Sequence, residues 1–239
     1  MLQKSRGIVL HKIKYAESNV IVKFYTQKLG LVSVILYGLG KSKSKTKGSL
    51  LQPLSIVDLE LDHKEKKDLH HLKEMRSGCL FKSIPFNILK SSILLFLNEI
   101  LYKCIKEEEA NEQLFKFIHD ALIALDEKES GFQNFHLDFL IRLSGFLGFN
   151  PLNNYQPGAR KYFHLEEGEF SGSSGSPDEV MGEEESRTLH RFLTEKHESI
   201  DINNIQRNSL LNYLLKYYSH HIPRFPEIKS HLVLKEVLS

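Results

Sequence analysis

The chain has 239 residues, 41% hydrophobic and 26% charged, which suits one large or two modest globular domains and confines disorder to local segments. Its formal charge of +2 hides a segregation: residues 1–77 hold 15 Lys/Arg against 7 Asp/Glu, a balance of +8 that leaves −6 for the rest and turns the front half toward a polyanion. The apolar run Ile93–Leu97 stops at Asn98-Glu99, far short of a membrane span, and Cys79 and Cys104 sit in apolar surroundings that suit reduced thiols rather than a disulfide framework, so a cytoplasmic protein without membrane contact is expected.

In chain order, residues 7–78 predict five strands: Ile8–Leu10, Val20–Thr26, Leu31–Tyr37, 54–63 and His70–Met75. In the fourth, Val57, Leu59 and Leu61 alternate with Asp58, Glu60 and Asp62, the period of a half-buried strand. Five strands in about 80 residues, with basic loops between them, match a small Greek-key barrel of the OB type. Such barrels bind single strands along a basic groove. Phe24, Tyr25 and Tyr37 are either stacking faces for such a strand or core residues.

Between the third and fourth strands, Gly38 to Gly48 carries Lys41, Lys43, Lys45 and Lys47 alternating with Ser42, Ser44 and Thr46. No acidic residue occurs between Glu17 and Asp58 to neutralise them. The loop reads as a phosphate-neutralising hand, with a merely solvated lysine run as the alternative. Gly40-Lys41-Ser42 ends like a nucleotide-binding P-loop, but the position for that motif's first glycine is Ile35, which argues against a triphosphate site. Lys12, Lys14, Lys23 and Lys28 extend the basic field. Contacts to phosphate rather than bases predict strong salt dependence and little sequence preference.

From Pro85 the period changes to 3.6. A first helix over 88–105 is apolar nearly all round; a second carries Leu114, Ile118, Leu122 and Leu125; a third carries Phe135, Phe139, Leu140, Leu143 and Leu147 and stops at Gly148-Phe149-Asn150-Pro151. Gly145 marks a close helix approach. Residues 152–181 break the pattern, with a weak hairpin around Glu166-Glu167-Gly168 and a flexible linker at 172–177. Helices resume over 183–195, 203–221 and 228–237. The expected fold is α+β: an N-terminal five-stranded OB-type β-barrel over 1–80, then an all-α helical bundle over 81–239 with a small cysteine-free insertion at 152–181.

Catalytic motifs are missing. No His-Glu-x-x-His occurs, His70-His71 and His220-His221 lack recognisable ligand companions, and Glu107 to Glu109 and Glu183 to Glu185 suit helix ends, the latter a helix start, where negative charge is favourable. A binding protein rather than an enzyme is expected, without metal or cofactor.

The order of these features resembles the bacterial recombination mediator family RecO. The resemblance is carried by Gly7-Ile8-Val9-Leu10, Tyr15-Ala16-Glu17-Ser18, Thr26 followed by Leu29-Gly30, the Gly38 loop and Leu51-Gln52-Pro53, and further along by Gly148-Phe149 with Pro151 and by Lys229-Ser230. It implies a protein that binds single- and double-stranded DNA, anneals complementary strands, engages the single-strand-binding protein SSB through its C-terminal tail, and works with RecR to load the RecA filament, in the cytoplasm and associated with the nucleoid. Two departures stand out. Many members carry four zinc-binding cysteines after the Gly-aromatic-x-Pro turn, and this chain has none beyond Cys104. An arginine usual near the loop's first glycine is replaced by Leu39-Gly40-Lys41, which keeps charge but loses the forked donor.

For the SSB tail, Leu140, Leu143 and Leu147 with Arg142 form a candidate groove, against an ordinary buried helix face. Lys216, His220, His221, Arg224, Lys229 and Lys235 form either a second DNA patch or a solvated surface. The alternatives are an OB-type RNA- or tRNA-binding accessory protein and a nuclease with a cryptic site.

Overall fold

The computed structural model describes residues 2–15, 17, 19–38, 48–63, 67–106 and 108–238, and divides into two compact units, 1–127 and 128–239. In the first unit, strands β1 (Leu2–Lys14), β2 (Val20–Thr26), β3 (Gly30–Leu36), β4 (Ile56–Asp62) and β5 (Leu69–Ser77) close a barrel in the order β1-β2-β3-β5-β4. Only β3 and β5 run parallel; the other pairs are antiparallel. This is the OB-type arrangement expected.

Strand β1 is 13 residues long, far longer than the Ile8–Leu10 core that hydrophobicity alone suggests. Its first half pairs with β4, setting Lys4 opposite Glu60 and Arg6 opposite Asp58, and its second half pairs with β2. A bulge between Val9 and His11 lets one strand serve both neighbours. The extra residue bends the strand, and Val9 and Leu10 are both buried as a result. The polar half of β1 is held by its partner's charges, so its own composition carries little strand signal.

The barrel interior is filled by Val9, Val22, Phe24, Val32, Val34, Leu51, Val57, Leu59 and Leu61. Each such burial stabilises by about 1.5–3 kcal/mol before conformational entropy is subtracted. The Thr26, Leu29, Gly30 spacing is a turn lock: the Thr26 hydroxyl donates to the Gly30 carbonyl and accepts from the Leu29 N–H, both at 3.0 Å. Gly30 has φ +64, and a Cβ there would lie 2.4 Å from the Glu108 carbonyl oxygen.

This unit also contains helices α1 (Ile88–Cys104) and α2 (Glu112–Glu127). Helix α1 is buried on several sides and packs against β1, while the Leu114, Ile118, Leu122, Leu125 stripe of α2 is fully interior, both as the 3.6-residue period predicts. Cys104 is buried, but Cys79 is only half-buried.

The second unit comprises α3 (Phe135–Phe146), a hairpin of β6 (Tyr162–His164) and β7 (Glu169–Ser171), then α4 (Glu183–Thr194), α5 (Asn204–His221) and α6 (Ser230–Val237). The hairpin is part of this unit's core rather than an appendage, because Phe163, Leu165 and Phe170 are essentially inaccessible to solvent. Phe163 packs edge-on to Phe170 and Tyr217. The glycine-serine stretch 172–177, expected to be a flexible linker, leads into a turn that is tied down: Lys216 Nζ donates to the Pro177 carbonyl at 2.9 Å and to Asp178 Oδ1 at 2.6 Å. Gly145 approaches the Asn150 side chain, 3.2 Å from where its Cβ would be, rather than another helix.

Candidate nucleic-acid interface

The loop lysines Lys41, Lys43, Lys45 and Lys47 lie outside the described residues. Gly38, which leads into the loop, has φ +72, a left-handed conformation that glycine adopts freely, and its N–H reaches the Asn19 side chain at 3.4 Å. The start of the loop is thereby tied to the β1–β2 turn.

Lys12, Lys14, Lys23 and Lys28 do not share one face. Register places Lys12 opposite Val22 and Lys14 opposite Val20, on the side of β1 that faces inward lower in the barrel, and both are exposed. His11 pairs with Lys23 on the other side. There the Tyr102 ring of α1 stacks on His11 at 4.2 Å and lies 5.7 Å beneath the Lys23 ammonium. Burial, with the Lys23 charge adding to it, pulls the His11 imidazole below its ordinary range, so this aromatic clamp is neutral at physiological pH. Lys28 occupies the β2–β3 turn and is exposed.

Lys23 and Lys28 line a cavity of about 390 Å³ with Lys67, His63, His70 and Glu108. The His63 and His70 rings are 4.5 Å apart, and burial together with the neighbouring His63 depresses His70. By contrast, the outer face of β1, β4 and β5 compensates its own charge: Lys4 pairs with Glu60 at 3.4 Å, Arg6 with Asp58 at 3.1 Å and Arg76 with Glu74 at 2.8 Å. Among the described residues, Lys12, Lys14, Lys23 and Lys28 have no carboxylate within ion-pair distance. The uncompensated positive field of the barrel thus lies on its β1–β2–β3 side.

Of the three aromatics weighed as stacking faces, Phe24 and Tyr25 are core, whereas Tyr37 is exposed and stacks on His71 with ring centroids 5.9 Å apart. Tyr102 and Lys67 did not stand out in the sequence, and His71 stood out only as a possible metal or acid-base histidine beside His70. Tyr102 lies in a helix that reads as apolar all round, and only tertiary placement brings it to the barrel. The alternation of His11, Ile13 and Tyr15 with Lys12 and Lys14 is a strand signal in the sequence that continues β1 beyond the register shift at Leu10.

In the second unit, Leu140 and Leu143 are fully buried, and the Leu140 carbonyl accepts from the Tyr218 hydroxyl at 2.7 Å. What reaches the surface of that stretch is Arg142, 3.7 Å from Asp138, Gly145, Phe146 and part of Leu147. The Gly148-Phe149 turn has a clear physical basis. Gly148 takes φ +90 to end α3, and the Phe149 ring then stacks on His221 at 4.9 Å and meets Tyr217 and Tyr218 edge-on. In the basic cluster of the last helices, Lys216 and His220 are engaged with Asp178, His221 with the Leu165 carbonyl and Lys235 with Asn212, so these groups close the fold on itself.

Residues 1–78 match the model for Recombination protein O N terminal, and residues 85–231 match that for Recombination protein O C terminal. The chain belongs to the RecO family. Similar proteins named DNA repair protein RecO occur in Phocaeicola vulgatus, 35% identical over 243 residues and 100% of both chains, and in Bacteroides fragilis, 37% identical over 99% of both. Another, in Flavobacterium psychrophilum, is 36% identical over 99% of both chains.

The RecO N-terminal match is coextensive with the barrel, ending one residue past β5, and the C-terminal match takes in α1 and α2 as well as most of the second unit. The zinc site of many RecO proteins does not fit this chain. Residues 152–181 contain no cysteine, and aromatic side chains form the hairpin's interior. No group of three or more metal-ligating side chains placed to hold an ion occurs among the described residues, and no described helix is long and apolar enough to cross a membrane.

Proposed function

We propose that this RecO-family chain is a DNA repair protein that binds single- and double-stranded DNA, anneals complementary strands and, together with RecR, helps load RecA onto SSB-coated single strands. The observation that carries the reading is similarity along the whole chain to proteins named DNA repair protein RecO. Lysines without carboxylate partners on both faces of β1 and β2 and in the β2–β3 turn of an OB-type barrel support it. In this reading the barrel, residues 1–80, is the DNA-binding domain and residues 81–239 the helical domain, with 152–181 as a hairpin and linker insertion, in a cytoplasmic, nucleoid-associated protein.

The chemistry is electrostatic. Lys41, Lys43, Lys45 and Lys47, with Lys12, Lys14, Lys23 and Lys28 around them, neutralise phosphates and release counterions. Two complementary backbones screened by the same surface lose the repulsion that holds them apart, so annealing needs no covalent step. An acidic-apolar SSB tail would meet Arg142 and the exposed part of Leu147, with Leu140 and Leu143 supporting that surface from beneath.

The test is competition between single-stranded DNA and tRNA in a gel-shift assay, joined to a pull-down on the SSB tail peptide. Preference for DNA and retention on the peptide are expected. Preference for tRNA without retention would instead indicate an RNA-binding accessory protein.

A further inference from the structure

Register aligns one row of side chains across four strands on the outer face of the barrel: Ile13 on β1 opposite Ile21 on β2, Ile21 opposite Ile35 on β3, and Ile35 opposite His71 on β5. Tyr37, two residues beyond Ile35, stacks on His71 with the planes 13° apart. Tyr15 extends the row on β1, two residues beyond Ile13. The ends of the row are uncovered, with Tyr15 64% exposed, Tyr37 59% and Ile13 43%, whereas Ile35 between them is 4% exposed; every other large apolar side chain on the described barrel strands except Leu2 is at least partly buried. An exposed cluster of aromatic and aliphatic side chains on a barrel surface marks a site where a partner with an apolar face binds.

We infer that Tyr37 and His71 form a stacking platform for unpaired nucleobases of single-stranded DNA, with Ile13 and Tyr15 at the far, β1 end of the same row. The inference rests on the DNA-binding reading above and deepens it. Lys12 and Lys14 alternate with Ile13 and Tyr15 along β1 and so lie on the opposite face of the strand, whereas Lys23, two residues from Ile21 on β2, shares the platform's face and sets a cation beside it. Gly38 joins Tyr37 directly to the lysine loop. Bases in a duplex have their faces occupied by neighbours, whereas every unpaired base offers a π-face to an aromatic ring. The platform therefore gives the barrel a preference for single strands that phosphate contacts alone do not confer, and does so without reading sequence.

The chain contains no tryptophan, so a Tyr37→Trp variant carries a single reporter. Its fluorescence is to be followed against an oligo-dT strand of about 16 nucleotides, an abasic strand of equal length and a duplex. Quenching by oligo-dT and none by the abasic strand or the duplex is expected. In parallel, Tyr37→Ala and His71→Ala should each weaken oligo-dT binding roughly ten-fold while leaving duplex affinity and the salt slope as in the wild type, and Tyr37→Phe should retain binding. Equal quenching by the abasic strand, or oligo-dT affinity unchanged in both alanine variants, would overturn the platform while leaving the DNA-binding reading intact. A wild-type protein that binds no single strand would remove both.

Discussion

Lys90 donates through Nζ to the Asp126 carbonyl at 2.9 Å, tying the first turn of α1 to the last turn of α2. Lys90 is 2% exposed, and its ammonium also reaches Ser83 Oγ at 2.6 Å. The Asp126 carboxylate in turn accepts the backbone N–H groups of Lys82, Ser83 and Ile84 at 2.8, 2.9 and 2.9 Å. One residue pair thus fastens the segment leaving the barrel to both helices of the first unit.

Removing Asp126 orphans three N–H groups at once. Asp126→Ala is expected to destabilise the protein by about 3 kcal/mol, since each buried unsatisfied donor costs roughly 1–3 kcal/mol and the segment relaxes partly toward water. Urea denaturation of the variant checks this, and an unchanged midpoint would show that the staple is not structural. Burial opposes ionisation of Asp126, but the Lys82, Ile84 and Ser83 N–H groups outweigh it and hold the carboxyl below its usual range. The stability this pair provides is present above the unfolded value near pH 4 and is lost as pH falls through the folded value.

His136 predicts acid sensitivity of the second unit. Complete burial, with the Arg207 charge adding to it, pulls its imidazole down to about 3. In the unfolded chain the group takes up a proton near pH 6.5, so between pH 6.5 and 3 the unfolded state binds more protons and stability falls with pH, by up to about 1.4 kcal/mol per unit. A His136→Gln variant should show a correspondingly flatter dependence between pH 6.5 and 5. An equal slope in both proteins would mean that His136 is protonated in the fold.

The two thiols should differ in reactivity. Burial raises the Cys104 thiol to about 12, whereas Cys79 is half-buried. A thiol-specific reagent at pH 8 is expected to modify one cysteine in the native protein and two after denaturation.

Gly30→Ala places a methyl group against the Glu108 backbone at a positive φ. A loss of roughly 2–4 kcal/mol is expected from the combined clash and strain, read as a lowered melting temperature.

Much of this architecture was legible. The period of two in β4, the stripe of α2 and the Gly148-Phe149 helix stop each follow from local side-chain chemistry that the sequence displays directly. The length of β1 was hidden because Lys4 and Arg6 are held by carboxylates 50 or more residues away, which local patterning does not register. The hairpin at 162–171 looked peripheral because each of its strands is 3 residues long, yet Phe163 and Phe170 anchor it in the core. In the interface, the basic character of the β1–β2–β3 side was visible in charge segregation. The division of Lys12 and Lys14 from Lys23 onto opposite faces was not, because it depends on strand alternation after a bulge that shifts the register. Tyr102, brought to His11 and Lys23 by helix packing, left no local sign at all.

The central claim is that the lysine loop holds nucleic-acid backbones through charge alone. The direct measurement is the dependence of single-stranded DNA affinity on salt concentration for the wild type and for the Lys41→Ala, Lys43→Ala, Lys45→Ala, Lys47→Ala quadruple variant. If all four contact phosphates, the slope of log affinity against log salt falls in magnitude by about 3, at roughly 0.7 per neutralised phosphate, and affinity drops most at low salt. A variant that keeps both the wild-type slope and the wild-type affinity would contradict the account.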